Sequence, residues 1–254
     1  MPNQTKLAPP DPAEGVSENP DCESRAPEGI EHFMPSAGDS PPMLPRELTP
    51  IELTRELQGW APELGFERLG VTSVEPMEAG RRRLEVFREQ GYAGGLDYLM
   101  TGSRHEPRRL MPSARSVVVA LMAYSGPQAA SEQDLIGRVA RYARGEDYHI
   151  VLKQRLLALG RRLADLVQRP LLGRACVDTA PLLERELAAR AGMGFQGKST
   201  MFIAPGTGSY LLLGELLLEL ELAPTTGASS GCGQCRACLD ACPTQAFPSP
   251  YVLD

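Results

Sequence analysis

The chain has 254 residues, 42% of them hydrophobic, and its formal net charge is -6. This composition can form a buried core, and the negative charge excludes a uniformly basic nucleic-acid-binding protein. The longest apolar stretch, 211–222, contains Gly214 and three glutamates, so we expect no transmembrane helix. Because the N-terminus also lacks the pattern of a secretory signal, we expect a cytoplasmic protein. In that compartment the six cysteines favour metal or catalytic roles over disulfides.

The N-terminal segment differs in composition from the rest of the chain. Residues 1–50 contain three basic and nine acidic residues, which account for the whole net charge, and 11 of the 23 prolines. Such a segment buries too little apolar surface to offset the entropy that it loses on ordering. We therefore predict a disordered acidic tail over 1–48, a folded domain over 49–225 and a small cysteine-rich module over 226–254.

The folded domain is predicted to alternate helices and strands. Its first helix begins with a capping box, in which Thr49 is the cap, Pro50 the first helical residue and Glu52 the third. Apolar runs predict buried strands, and leucines at helical spacing predict helices. In chain order the predicted elements are helix 49–65, strand 66–72, helix 78–90, strand 116–124, helix 148–167, strand 175–179, helix 181–191, and strands 201–204 and 210–222.

A glycine-rich segment over 192–199 matches the G-x4-G-K-[ST] pattern of nucleotide-binding loops. In those proteins the loop follows a strand and begins a helix, whose N-terminus faces the phosphates. Here a predicted helix precedes the segment and a predicted strand follows it. The context therefore argues against ATP or GTP binding, and we interpret Gly192 or Gly194 as the end of the preceding helix.

Four cysteines near the C-terminal end of the sequence form its most specific motif, C-x2-C-x2-C-x3-C-P. They are Cys232, Cys235, Cys238 and Cys242. This is the spacing of bacterial ferredoxins, in which three thiolates surround one [4Fe–4S] cluster and the fourth binds a second cluster. A zinc site is the alternative, but zinc sites usually use two separated pairs of ligands.

The number of cysteines limits this module. Two clusters bound only by cysteine need four thiolates each, and beyond the motif only Cys22 and Cys176 remain. Cys22 lies in the predicted tail and Cys176 in a predicted buried strand. The sequence therefore predicts a partial ferredoxin-like iron–sulfur module, whose second cluster is incomplete, and suggests that the chain is a fragment of a longer protein.

Several motifs in a fixed order resemble one known family, epoxyqueuosine reductase. They are the segments 145–149 (GEDYH), 177–185 (VDTAPLLER), 191–198 (AGMGFQGK), 208–210 (GSY) and 214–215 (GE), and the cysteine motif followed by 250–254 (PYVLD). The resemblance covers roughly Leu53 to Asp254. It implies an α+β fold, with a mixed α/β cobalamin-binding domain followed by a ferredoxin-like module that holds two [4Fe–4S] clusters in the family. The sequence is similar, more distantly, to corrinoid reductive dehalogenases.

The resemblance also implies a reaction and its residues. The family uses cobalamin and iron–sulfur clusters to deoxygenate epoxyqueuosine at the wobble position of tRNA, which gives queuosine. Asp178 corresponds to the catalytic acid of the family, although it is also a plausible N-cap for the following helix. Cobalamin contacts are implied for Asp178, Arg104, Phe202 and Leu213, and Lys198 is placed beside the pocket, where it suits a phosphate.

Partners and alternatives follow from the same residues. We expect tRNA and an electron donor as partners, no membrane, and a monomer. His149 is interpreted as a structural residue and not as a cobalt ligand. Phe202 and Leu213 could equally be ordinary core residues, and Arg104 an exposed loop residue. Two other functions stay open: a non-catalytic iron–sulfur electron carrier, and a corrinoid reductase of another small electrophile such as a halide.

Overall fold

A five-stranded antiparallel sheet organises the protein. The computed structural model describes residues 29–36, 48–100, 102–124, 139–227 and 231–254. The strands of the sheet are β1 (Glu31–Phe33), β2 (Arg68–Ser73), β3 (Ser116–Ala123), β4 (Leu171–Cys176) and β7 (Leu211–Leu218). Their spatial order is β1-β4-β7-β3-β2, and each neighbouring pair is antiparallel. The mixed α and β class predicted from the sequence is thus confirmed.

The centre of the sheet is formed by the two most apolar strands of the sequence. β3 and β7 pair over eight positions, from Ser116 opposite Leu218 to Ala123 opposite Leu211. Each strand has a paired neighbour at both edges, and core clusters on both sides of the sheet cover its two faces. Its sequence is therefore an apolar run without strict alternation. This explains why the leucine-rich segment 211–218 forms a strand even though its composition suits a helix.

One face of the sheet is covered by α1 (Pro50–Gly59) and α3 (Tyr148–Val167). Four leucines at helical spacing along α3, at positions 152, 156, 159 and 163, are fully buried against the sheet. The predicted capping box of α1 is confirmed, because Thr49 and Glu52 exchange hydrogen bonds at its N-terminus. The bounds of α3 agree with the prediction at both ends.

The opposite face is covered by shorter elements. These are α4 (Glu184–Arg190), the hairpin of β5 (Phe195–Gln196) and β6 (Phe202–Ile203), and the loops around Met77 and Met111. α2 (Glu78–Glu89) approaches this layer through Gly80, where a side chain would meet Glu186 and Leu183. A short helix, α5 (Ala237–Asp240), lies within the cysteine motif. Among the described residues, none of the helices is long and apolar enough to cross a membrane.

The tail prediction is wrong for one segment. Residues 31–33, expected to be disordered, form the edge strand β1, and Phe33 is only 2% exposed. Its ring occupies a space that exists because Gly160 on α3 and Gly173 on β4 have no side chains. The single aromatic side chain of Phe33 therefore anchors this segment by burying apolar surface, although the composition of the tail as a whole predicts too little such burial. Residues 1–28 and 37–47 lie outside the described residues.

Phe33→Ala is expected to lower the free energy of unfolding by about 3 kcal/mol, because it empties a fully enclosed space between helix and sheet. Urea denaturation followed by circular dichroism measures the change. Met34→Ala is the matched control, since Met34 is 62% exposed and should change little. Equal effects from the two variants would show that β1 does not dock in solution.

Candidate active site

The loop after β4 meets the N-terminus of α3, and Asp178 is the residue at which they touch. The hydroxyl of Tyr148 donates a hydrogen bond to Asp178 Oδ2 at 2.8 Å. His149 Nε2 lies 3.3 Å from the same oxygen. The side chain of Asp178 is 60% exposed, so the carboxyl group is oriented by its neighbours and still open to solvent. The first and second residues of α3 therefore present a polar pair to this carboxylate.

His149 is held by carboxylates on both sides of its ring. Its Nδ1 lies 2.7 Å from Asp147 Oδ1, and Asp147 is also the N-cap of α3. The hydrogen bond from Asp147, assisted by Asp178, raises the pKa of His149. Tyr148 stacks on the imidazole with ring centroids 4.0 Å apart. Both ring nitrogens of His149 therefore lie against carboxylate oxygens in the described structure.

The alternative in which Asp178 caps the next helix is wrong. α4 begins at Glu184, six residues later, and its N-cap position is Leu183, which makes no side-chain cap. Asp178 instead has φ of 56°, in the left-handed region that costs energy for a residue with a side chain. Its backbone N–H donates to Glu184 Oε1 at 2.8 Å. Because a right-handed helix cannot include the left-handed conformation of Asp178, α4 begins later than the sequence predicts.

Two acids beneath this loop were missed by the sequence reasoning. Glu215 on β7 is completely buried, and neither of its carboxyl oxygens has a hydrogen-bond partner among the described residues. Desolvation, reinforced by the charge of Glu184, raises the pKa of Glu215 well above its usual value. Desolvation likewise raises the pKa of Glu184 to about 7. The sequence does contain a signal that could have indicated Glu215, namely a glutamate in the middle of an otherwise apolar strand.

Arg104 lies against the other end of the Asp178 loop. Its carbonyl oxygen accepts the backbone N–H of Leu183 at 3.1 Å. Its guanidinium donates to the carbonyl of Tyr98 at 3.0 Å and stands 5.4 Å from the Tyr98 ring. The Nε of Arg104 is buried and has no partner within the described ranges. Arg104 is therefore tethered near Asp178, and it keeps one donor for which the protein provides no acceptor.

Phe202 and Leu213 lie in the core layer on the same face of the sheet as Glu215. Phe202 is 4% exposed and belongs to the cluster that contains Met193 and Leu187, and Leu213 packs against that cluster. Leu213 is two residues from Glu215 on β7, so the two side chains share a face. Both residues serve the core, which is one of the two interpretations that the sequence allowed.

Lys198 joins the folded domain to the cysteine module. Its Nζ donates to the carbonyls of Gly233 at 2.7 Å and Cys235 at 2.9 Å. Its backbone N–H donates to Cys232 Sγ at 3.4 Å, and its carbonyl accepts the N–H of Tyr251 at 2.9 Å. Lys198 was expected to face a phosphate, but its ammonium group binds the cysteine loop instead. The segment that resembles a nucleotide-binding loop therefore holds the module.

Lys198→Met is expected to loosen residues 231–254, because it removes two charge-assisted hydrogen bonds while keeping the aliphatic stem. Limited proteolysis should then cleave this segment several-fold faster, with mass spectrometry locating the cuts. Lys153→Met is the matched control, since Lys153 is an exposed residue of α3. Equal cleavage of both variants would show that Lys198 does not hold the module.

The motif cysteines do not form a ready metal-binding group in the described structure. No group of three or more cysteine, histidine or acidic side chains is gathered at one point in the described part of the chain. Two of the thiols nevertheless accept backbone hydrogen bonds, Cys232 from Lys198 and Cys242 from Ala246. Hydrogen bonding by the Thr244 hydroxyl, together with the backbone amide of Ala246, lowers the pKa of Cys242 and favours the thiolate that binds metals.

Known proteins that this chain resembles support one family. The family profile described as "Epoxyqueuosine reductase QueG, DUF1730" matches residues 104–179, a range that begins at Arg104 and includes Asp178. The chain is 40% identical to the epoxyqueuosine reductase of Alicycliphilus denitrificans over 215 residues, which cover 80% of this chain and 59% of that protein. It is 34% identical to the Leadbetterella byssophila enzyme over 205 residues, which cover 80% of this chain and 67% of that one. The chain thus spans less than two thirds of the first of these relatives.

Two solved structures extend the comparison. One is an epoxyqueuosine reductase with an epoxyqueuosine-modified tyrosine tRNA stem loop, at a TM-score of 0.68 and 30% identity. The other is the epoxyqueuosine reductase of Bacillus subtilis, with an aspartate-bearing catalytic loop swung out of the active site, at the same TM-score and identity. Each match covers 79% of this chain and 54% of the other.

Proposed function

Because the chain belongs to the epoxyqueuosine reductase family, we propose that it removes the epoxide oxygen of epoxyqueuosine in tRNA to give queuosine. The reaction consumes two electrons and two protons, and the oxygen leaves as water. The observation that carries the proposal is the position of Asp178, an exposed carboxyl group that Tyr148 and His149 orient from one side.

The role proposed for Asp178 is that of the proton donor. Opening an epoxide leaves a negative charge on oxygen, and a positioned acid removes that charge in the transition state. His149 lies 3.3 Å from the carboxylate and has a raised pKa, so it is placed to return a proton to Asp178 afterwards. The second proton then reaches the departing oxygen by the same route.

The residues around Asp178 fit a bound cobalamin. The unpaired Nε of Arg104 suits one of the amide or phosphate oxygens with which this cofactor is rich, and it lies beside the loop that carries the acid. Apolar contact would come from the layer that contains Phe202 and Leu213. When bound, cobalamin supplies the strongly reducing metal centre that opening an epoxide by reduction requires.

The donor set of the C-terminal segment fits an iron–sulfur cluster. Cys232, Cys235 and Cys238 would bind a [4Fe–4S] cluster, and Cys242 would belong to a second one. The amide hydrogen bonds that Cys232 and Cys242 already accept are of the kind that stabilises cluster thiolates. We propose that this module passes electrons from an external donor towards the cobalamin domain.

A partly exposed aromatic row supports an unpaired RNA loop as the substrate. Tyr210, Tyr124, Tyr142 and Tyr148 lie edge to face in that order, with centroids 5.6 to 6.4 Å apart, and the row ends at the residue that holds Asp178. The guanidinium of Arg141 covers the Tyr210 ring at 4.8 Å. Unpaired bases stack on such rings in RNA-binding proteins. The related structure with a tRNA stem loop is consistent with this substrate.

The proposal is tested in two steps, because the chain spans little more than half of several relatives. Anaerobic reconstitution with cobalamin, followed by gel filtration, first asks whether the visible spectrum of a corrin elutes with the protein. Incubation with tRNA that carries epoxyqueuosine and a chemical reductant then asks whether nucleoside mass spectrometry finds queuosine.

The outcomes separate the candidate functions. Cluster absorption without corrin binding would contradict the enzyme and favour an electron carrier. Corrin binding with turnover of a halogenated substrate, but not of the tRNA, would favour the dehalogenase-like alternative. A sample without reductant and a sample without cobalamin serve as blanks for the tRNA assay.

A further inference from the structure

The fully buried Glu215 and the half-buried Glu184 form an acidic pair whose charge is costly to enclose. Glu215 lies at the middle of β7, opposite Val119 on one side and Cys176 on the other. A carboxyl group enclosed at such a place lowers folding stability, which an apolar residue of similar volume would avoid. Strongly perturbed buried acids of this kind concentrate at functional sites. A functional role is therefore expected for these two acids.

Glu184 and Glu215 lie beside the loop that carries Asp178. Within the loop, Thr179 donates to the carbonyl of Val177 at 2.6 Å and Leu182 to that of Ala180 at 2.8 Å. These hydrogen bonds span only two residues each, and Asp178, at the centre of the first of these turns, is left-handed. Such a backbone is strained and persists only when its surroundings hold it. The N–H of Asp178 is held by Glu184 Oε1, which comes from the first residue of α4.

We propose that Glu184, backed by Glu215, is the positioning residue of the Asp178 loop: its charged carboxylate fixes the backbone of Asp178, and its protonation loosens the loop. The inference deepens the proposed function, since it rests on Asp178 as the acid. A hydrogen bond to a carboxylate is about twice as strong as one to a neutral acceptor, so the charge of Glu184 decides how firmly the turn is held.

Proton binding by this pair falls in the physiological range. Desolvation raises the pKa of Glu184 to about 7, while the backbone N–H of Asp178 acts in the opposite direction. The pKa of Glu215 is raised as well, because this carboxyl group is fully enclosed and faces the charge of Glu184. Above pH 7 Glu184 is charged and the loop is held, and below pH 7 it becomes neutral and the loop loosens.

The other ionisable groups around the pair come from four elements. The loop contributes Asp178, whose charge favours protonation of Glu184, and α4 contributes Arg185, whose charge opposes it. β4 contributes the buried thiol of Cys176, whose pKa desolvation raises to about 12, and Arg174 beside it. α3 contributes Tyr148 and His149, which act on the side chain of Asp178 and not on its amide.

The backbone amide of Asp178 reports directly on this contact. In the full-length protein labelled with 15N, its amide resonance is expected to titrate with a midpoint near pH 7. Glu184→Gln keeps an oxygen acceptor of the same shape but cannot ionise, so the titration should disappear. Glu186→Gln is the matched control on the same helix, since Glu186 pairs with Arg83 and should leave the titration unchanged.

Two further variants separate Glu184 from its neighbours. Asp178→Asn and His149→Asn remove the other groups that could shift this amide, and the titration at position 178 should persist in both. A titration that survives Glu184→Gln, or that disappears in Asp178→Asn or His149→Asn, would overturn the inference. A variant that fails to fold is recognised by its collapsed spectrum, and Glu184→Asp, which ionises on a shorter side chain, then replaces it and should still titrate.

The amide titration needs neither cofactor nor tRNA, so it stands apart from the proposed function. If the protein proves active, Glu184→Gln should lower kcat more than it raises KM and should remove a limb near pH 7 from the pH–rate profile. A lack of activity in the unmodified protein, with the amide titration intact, would contradict the proposed function and leave the positioning role supported.

Discussion

Asp178→Asn is expected to lower kcat for the deoxygenation of epoxyqueuosine by about 10²- to 10⁴-fold, the usual contribution of a positioned acid. Asparagine has the shape of aspartate and can still accept the hydrogen bond from Tyr148, so the loop should keep its place. It has no proton to give to the oxygen. Because the substitution affects a step of the reaction and not binding, KM and the affinity for cobalamin should change little.

Single-turnover assays with nucleoside mass spectrometry measure this effect, and absorption titrations measure corrin affinity. Asp165→Asn is the control, because Asp165 lies near the opposite end of α3, where it accepts the backbone N–H of Ser36. That variant should keep nearly full activity. Normal turnover by the Asp178→Asn protein would mean that another group is the acid, and His149 would be the first candidate to test.

Glu215→Gln is expected to flatten the pH dependence of folding stability. A carboxyl group whose pKa is raised in the folded state binds more protons there than in the unfolded chain. The free energy of unfolding therefore falls as pH rises through that interval, by up to about 1.4 kcal/mol per pH unit for each group. Glu184, with a pKa raised from 4.5 to about 7, acts in the same direction between those values. His149, whose pKa is also raised, extends the decline above pH 6.5.

Urea denaturation at pH 5, 6.5 and 8 measures this slope. The unmodified protein should lose stability over the interval, and Glu215→Gln should lose at least about 1 kcal/mol less. Glu215→Met, which fills a similar volume without a charge, should be more stable than the unmodified protein at pH 8 by roughly 1–2 kcal/mol. Glu221→Gln, at an exposed position, is the control. A slope in Glu215→Gln parallel to that of the unmodified protein would mean that the pKa of Glu215 is not raised in the folded state.

Helices and strands were predicted most accurately from the sequence where interactions between nearby residues determine them. The capping box at Thr49 and the leucine spacing of α3 are local patterns, and both helices form as predicted. β4 was predicted too late in the chain, over 175–179, because the strand is selected by pairing with β7 and not by its own composition. β1 was missed for the same reason, since the space for Phe33 is created by glycines more than 120 residues away.

The candidate site could be predicted only in part. Resemblance to a family indicated Asp178 and Arg104, and the structure places both at the same loop. The partners of Asp178 come from α3, thirty residues earlier, and only the folding of the sheet brings them together. Lys198 was placed near a phosphate by its family position beside the pocket, whereas its actual acceptors are carbonyls of a distant loop. Spacing in a sequence carries no information about such long-range acceptors.

The docking of β1 on β4 has a practical consequence for preparing the protein. An expression clone trimmed to begin at the first long helix would leave out Glu31–Phe33 and leave the backbone groups of Leu171–Gly173 without their partners. A bare, apolar sheet edge recruits the edges of other molecules, so the shortened protein is expected to oligomerise or precipitate. The acidic, proline-rich region, which its composition would suggest deleting, thus includes the strand that prevents this association between molecules.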